Sequence, residues 1–173
     1  MRHPFFLLPL RARWVLLALM LALFLFTAMK ADGGIRKKKL GSIVDLELAG
    51  TRARAEAVLA RWRENGAIAG AVAGVHWDFL FIVAYSCGLS LLCTMAAGAR
   101  AGLWARAGNG LAWAATLAGA CDVVENGGLL AMLSGTVAQP VPAATAAFAA
   151  VKFTLAAAAL AYAIAGPVVC AWR

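Results

Sequence analysis

Four apolar stretches dominate this sequence, and each has about the length needed to cross a membrane as a helix. A transmembrane helix needs about 20 consecutive, mostly apolar residues. The stretches that approach or meet this length lie at about 14–29, 76–98, 111–133 and 143–169. Because the bilayer core offers no water to exposed backbone groups, such segments cross it as helices. The sequence therefore predicts an all-α fold, a four-transmembrane-helix bundle.

The composition excludes most soluble classes of protein. Apolar residues make up 64% of the 173 residues, charged residues make up 14%, and the mean hydropathy is +0.82. Soluble domains carry about 25% charged residues. We therefore expect one membrane domain over residues 1–173, embedded in a lipid bilayer. We expect the first span to be a retained anchor, because Met29 and Lys30 interrupt the small residues of a signal-peptide cleavage site.

The net charge of +8 is unevenly distributed, since nine of the sixteen basic residues lie between Lys30 and Arg63. Basic residues beside apolar spans set membrane topology or contact anionic lipid head groups, so we expect lipid rather than nucleic acid as the partner. We favour cytoplasmic termini, because the basic residues near the chain ends and in the loop between the second and third spans then face the cytoplasm. The basic first loop favours the opposite orientation, and the sidedness stays open. The residues that favour cytoplasmic termini are Arg2, Arg11, Arg13, Arg100, Arg106 and Arg173.

The long loop after the first span predicts helical structure at about 43–65. Ser42 and Asp45 have the spacing of a capping box, Gly50 suits a helix end, and Thr51 can cap a second helix. The apolar positions of that second helix recur every three or four residues and predict an amphipathic helix on the membrane surface or over the bundle. These positions are Ala55, Val58, Leu59 and Trp62.

Ionisable side chains within the spans are the candidate functional residues, because each is costly in a membrane. At about 1.5 Å per residue, the four ionisable groups lie about 24–33 Å along their helices from Arg100, Arg106 or Arg173. We therefore expect one polar cluster near the interface on the long-loop side. The four are Asp78, Asp122, Glu125 and Lys152; Tyr85 and Asn126 accompany them, and His76 stands at the edge.

Several roles for this cluster remain open. It can fasten helices together, with Lys152 paired to Asp122 or Glu125. It can also serve a membrane-embedded metal-dependent enzyme that uses Asp78, Asp122 and Glu125. A third role is that of a proton-coupled carrier of small molecules, which with four spans requires a homo-oligomer. The chain itself predicts no cofactor and no metal site, because Cys87, Cys93, Cys121 and Cys170 form no C-x-x-C pair.

Short motifs also give the chain a family resemblance. These are W-D-F-x-F-x-x-A-Y from Trp77 to Tyr85, D-x-x-E-N from Asp122 to Asn126, and I-V-D-L-E-L-A-G-T from Ile43 to Thr51. With Lys152 in the last span, the chain resembles a group of uncharacterised small four-span bacterial integral membrane proteins over about residues 40–165. The resemblance implies four spans and a bacterial inner-membrane location. It implies no activity, cofactor or ligand.

Overall fold

The computed structural model describes residues 1–31, 35, 39–98 and 101–171, apart from the side chains of 31 and 167–171. Within these residues every regular element is helical. A short 3₁₀ helix, Pro4–Leu7, precedes the first long helix. The α-helices are α1 (Leu10–Ala31), α2 (Ile43–Glu47), α3 (Arg52–Glu64), α4 (Ile68–Gly98), α5 (Leu103–Leu133) and α6 (Val141–Ala171).

Three helices have both the length and the hydropathy to cross a membrane. Their candidate spans are Leu10–Lys30, Ile68–Gly98 and Val141–Gly166, with mean hydropathies of 2.1, 2.0 and 1.8. α5 has 31 residues, as many as α4 and α6. Among the described residues, α5 is nevertheless not one of the candidate spans, because Asp122, Glu125 and Asn126 lower its mean hydropathy.

The long helices extend beyond the stretches expected from apolar residues alone. α4 begins at Ile68 rather than near 76, because residues 68–75 contain no proline and continue the apolar run. α5 begins at Leu103 rather than near 111, directly after Gly102, whose φ of +71° favours a residue without a Cβ atom. The expected limits of these two spans therefore lie inside longer helices.

Two helices, α2 and α3, occupy the loop between α1 and α4, and residues 48–51 separate them. The Asp45 carboxylate accepts a hydrogen bond of 2.9 Å from the Ser42 backbone N–H at the start of α2. Gly50 turns the chain with a φ of +66°. The Thr51 hydroxyl then accepts from the Arg54 N–H and caps α3. The range 43–65 is therefore interrupted by a turn that glycine permits.

The chain divides into two compact units. The first consists of Met1–Phe24, Val83–Ala120 and Lys152–Arg173, and the second of Leu25–Ile82 and Cys121–Val151. In the second unit, the buried side chains of α3 (Ala55, Val58, Leu59 and Trp62) form one apolar cluster with residues of α4 and α5, such as Val75 and Met132. The Trp62 indole N–H donates to the Leu40 carbonyl oxygen at 3.1 Å, which ties α3 to the preceding loop.

In the first unit, small side chains allow close helix contacts. The Ser90 hydroxyl donates to the Ala112 carbonyl oxygen at 2.9 Å and joins α4 to α5. The Tyr162 hydroxyl donates to the Trp104 carbonyl oxygen, also at 2.9 Å, and the two rings stack. A Cβ atom on Gly108 would lie 2.6 Å from the Cβ of Ala97, so this contact requires glycine.

α5 has apolar side chains on its exposed face and polar side chains on its buried face. Leu117, Val123 and Val124 are each about half exposed, at 54%, 47% and 52%. Asp122 and Glu125, by contrast, are only 2% and 0% exposed. This arrangement is the reverse of that in a helix on the surface of a soluble protein.

Candidate functional site

The candidate site is a group of polar side chains in the second unit, which we call the polar cluster: Asp78, Asp122, Glu125 and Asn126. Asn126 on α5 donates a hydrogen bond from Nδ2 to Oδ2 of Asp78 on α4, over 2.8 Å. Asn126 is 1% exposed, and Asp78 is partly buried. This bond brings together side chains that are 48 residues apart in the sequence.

The helical repeat places the three α5 residues of the cluster on one face. Asp122 precedes Glu125 by three residues and Asn126 by four, so all three project from adjacent turns. Ala118 and Leu129 continue the same buried face before and after them. Two carboxylates at this spacing repel when both are ionised. The polar face of α5 is therefore a place where a proton or a cation lowers the local electrostatic energy.

α5 and α6 approach each other closely at Gly128, about half a helical turn beyond the polar cluster. A Cβ atom on Gly128 would collide with Oγ1 of Thr145 and would lie 3.3 Å from its Cβ. The Thr145 hydroxyl donates to the Val141 carbonyl oxygen at 2.9 Å, and its side chain is 2% exposed. Because Gly128 has no side chain, α6 can pack against α5 at this level of the second unit.

The structure describes each of the three other residues expected in the cluster in its own surroundings. His76 is exposed, and its Nδ1 donates to the Val72 carbonyl oxygen at 2.7 Å, one turn earlier in its own helix. Tyr85 is partly buried and belongs to the first unit. Lys152 also belongs to the first unit, is 7% exposed, and has its Nζ 4.9 Å from the centroid of the Phe153 ring. The pairing of Lys152 with an α5 carboxylate stays a prediction.

Among the described residues, two buried ionisable side chains were not foreseen from the sequence. Glu47, at the end of α2 in the second unit, is 6% exposed. Its position in the apolar run Leu46–Ala49, two residues after Asp45 has already capped the helix, is a signal that could have identified it. His3 is 4% exposed in the first unit, where its backbone N–H donates to Asn109 Oδ1 at 2.8 Å. The sequence around His3 carries no comparable signal.

The described residues offer no ready metal site. Within ranges 1–31, 39–98 and 101–171, no three His, Cys, Asp or Glu side chains lie together in a way that could hold a metal ion. Cys87, Cys93 and Cys121 are free thiols, and the side chain of Cys170 lies outside the described part. Comparisons with family models, with curated proteins and with solved structures found no match to this chain.

Proposed function

We propose that this chain is a four-span integral membrane protein of the bacterial inner membrane. Its spans are α1, α4 and α6, together with α5. The observation that supports this most is the reversed polarity of α5, with Leu117, Val123 and Val124 outside and the polar cluster inside. Such a helix is stable in lipid because the ionisable side chains, whose burial in the bilayer is costly, face protein. The bacterial inner-membrane assignment is supported by the sequence motifs described above.

α6 has the same reversed polarity, which supports a membrane environment independently of α5. Its exposed side chains include Phe153, Leu160 and Ile164, at 44%, 46% and 62% exposure. Thr145 and Lys152, by contrast, are buried. In water, exposed apolar side chains on two long helices would form a large patch that favours aggregation. In a bilayer the same side chains contact acyl chains.

For the biochemical role, we propose that the polar cluster binds and releases a proton in a proton-coupled carrier of small molecules. Asp122 and Glu125 are neighbours on one helix, and the Asp78 carboxylate is held by Asn126 in the same unit. Ionised carboxylates are costly in a membrane and repel each other at this spacing. A proton relieves both penalties, and its release couples the cluster to pH. As four spans are few for a carrier, the proposal includes a homo-oligomer.

Infrared spectroscopy of the purified protein tests proton binding without knowledge of the transported molecule. We expect a band of protonated, slowly exchanging carboxyl groups that grows as the pH falls. The Glu125→Gln and Asp122→Asn variants should each reduce this band. The matched control is Glu64→Gln, which removes an exposed carboxylate of α3. A band that is equally strong in the cluster variants and the control would overturn the proposal.

A second role is favoured by the hydrogen bond between Asn126 and Asp78, which can fasten α5 to α4. In that case substitutions lower stability but leave proton binding unchanged, so the infrared experiment separates the two roles. The metal-dependent enzyme that would use Asp78, Asp122 and Glu125 stays a hypothesis. Elemental analysis of the purified protein tests it, since stoichiometric metal lost in the Asp122→Asn variant would support it.

A further inference from the structure

A groove runs between α2 and α3 in the second unit, and its lining includes none of the polar cluster residues. It has a volume of about 500 Å³ and is lined mainly by apolar side chains, with two arginines and one aspartate. Its lining residues include Val44, Asp45, Leu48, Arg54, Ala57 and Arg61. The groove therefore combines an apolar surface with positive charge.

The two arginines face the groove from one side of α3. Arg54, Ala57 and Arg61 follow at intervals of three and four residues, so they lie along one face of the helix. Both arginines are exposed, and among the described residues neither guanidinium group forms an ion pair. The nearby Arg52, in contrast, pairs with Glu56 at 2.7 Å. Arg54 and Arg61 thus add positive charge to the lining of the groove.

The opposite wall, formed by α2, does not neutralise this charge fully. Its one carboxylate, Asp45, faces two arginines across the groove, and it also accepts the hydrogen bond from the Ser42 N–H. Leu48, at the other end of α2, is 47% exposed. A ligand in this groove therefore meets two guanidinium groups along one side and an exposed aliphatic surface along the other.

We propose that this groove binds the head group of an anionic phospholipid, with the phosphate between Arg54 and Arg61 and the upper acyl chains against Leu48 and Val44. The two arginines are separated by about 10 Å along the helix axis, and both long side chains can reach a phosphate between them. Guanidinium groups suit phosphate because they donate two parallel hydrogen bonds.

The position of the groove in the chain favours a lipid over a soluble anion. Only residues 65–67 separate the end of α3 from α4, which is a candidate membrane span. Basic groups that lie close to the end of a span can reach the lipid head groups, and anionic head groups attract them. This inference therefore rests on the proposed membrane placement.

Native mass spectrometry of the full-length protein in detergent tests the proposal. The protein is mixed with phosphatidylglycerol or with phosphatidylcholine of the same acyl chains, and the bound lipid is counted. We expect retention of phosphatidylglycerol, with affinity reduced about tenfold or more in the Arg54→Gln/Arg61→Gln variant. The matched control is Arg52→Gln/Arg63→Gln, which removes the same charge from α3 outside the groove. We expect this control to reduce the affinity by less than about threefold.

Three outcomes would overturn the proposal: equal losses in the two double variants, equal retention of the two lipids, or displacement of the lipid by inorganic phosphate at matched concentration. Equal losses would indicate diffuse attraction rather than a groove. Displacement by phosphate would indicate a site for a free anion. Because lipid is counted in detergent, a negative result does not depend on how many helices cross the membrane, and the span count is tested separately.

Discussion

Asn126 on α5 donates a 2.8 Å hydrogen bond to the carboxylate of Asp78 on α4. The bond joins α4, a candidate membrane span, to α5, which is not among the candidate spans of the described residues. It lies on the polar face of α5 in the second unit, the face that also carries the buried Asp122 and Glu125. The same bond therefore bears on the helix packing and on the proposed chemistry.

Removal of the Asn126 donor should lower the stability of the protein. We expect Asn126→Leu to reduce the free energy of unfolding by about 1–2 kcal/mol, because a hydrogen bond between helices is replaced by an apolar side chain beside a carboxylate. Thermal unfolding in detergent measures the change. The double variant Asn126→Leu/Asp78→Leu should recover part of the loss, since both partners are then removed. Strictly additive losses would show that the two side chains do not act together.

Gly128 should be intolerant of a methyl group, whereas its neighbour Gly127 should accept one. A Cβ at Gly128 would meet Thr145, but a Cβ at Gly127 has nothing within 4 Å. We expect Gly128→Ala to destabilise the protein by about 1–3 kcal/mol through overpacking. Gly127→Ala should be neutral or stabilising by up to about 1 kcal/mol, because alanine favours a helix. Equal unfolding temperatures for the two variants would contradict the close approach of α5 and α6.

Local signals in the sequence predicted the local structure of the loop well. Gly50 lies at a turn with a φ of +66°, and Thr51 caps α3, because these conformations depend on a few adjacent residues. The ends of the long helices were less predictable. Residues 68–75 join α4, although we expected a start near His76, because they continue the apolar run as far as the turn at Gly66, whose φ is +59°.

The candidate site could be predicted only in part. Their depth along the helix grouped Asp122 and Glu125 in one cluster, accompanied by Asn126, and these three residues are buried. The partner of Asn126 could not be chosen from the sequence, because the register between two helices depends on how their side chains interlock. His76 was grouped with the cluster by its position in the chain, yet its ring bonds to its own helix at Val72.

Docking of the N-terminal segment on α5 should weaken in acid. The His3 Nε2 lies 3.2 Å from Thr116 Oγ1, and burial lowers the pKa of His3 below its usual value of 6.5. The neutral ring is therefore favoured in the docked state. Its stabilisation is fully present above about pH 6.5 and is lost as the pH falls from there through the lowered pKa.

Hydrogen exchange of the peptide that contains Phe5 and Phe6 measures this docking, after correction for the intrinsic effect of pH. We expect faster exchange as the pH falls below 6.5 in the natural sequence. The variant His3→Gln keeps a polar side chain but cannot titrate, so its corrected exchange should not depend on pH. The same pH dependence in both proteins would show that another group is responsible.

The most direct test of the four-span proposal is whether α5 crosses the membrane. Two exposed positions suit single cysteines for this test: Ala101, before α5, and Thr136, after it. They would be introduced into a protein whose natural cysteines (Cys87, Cys93, Cys121 and Cys170) are replaced by alanine. A membrane-impermeant maleimide is then applied to right-side-out and inverted vesicles. The account predicts that the two positions are labelled from opposite sides of the membrane; labelling of both from the same side would contradict it.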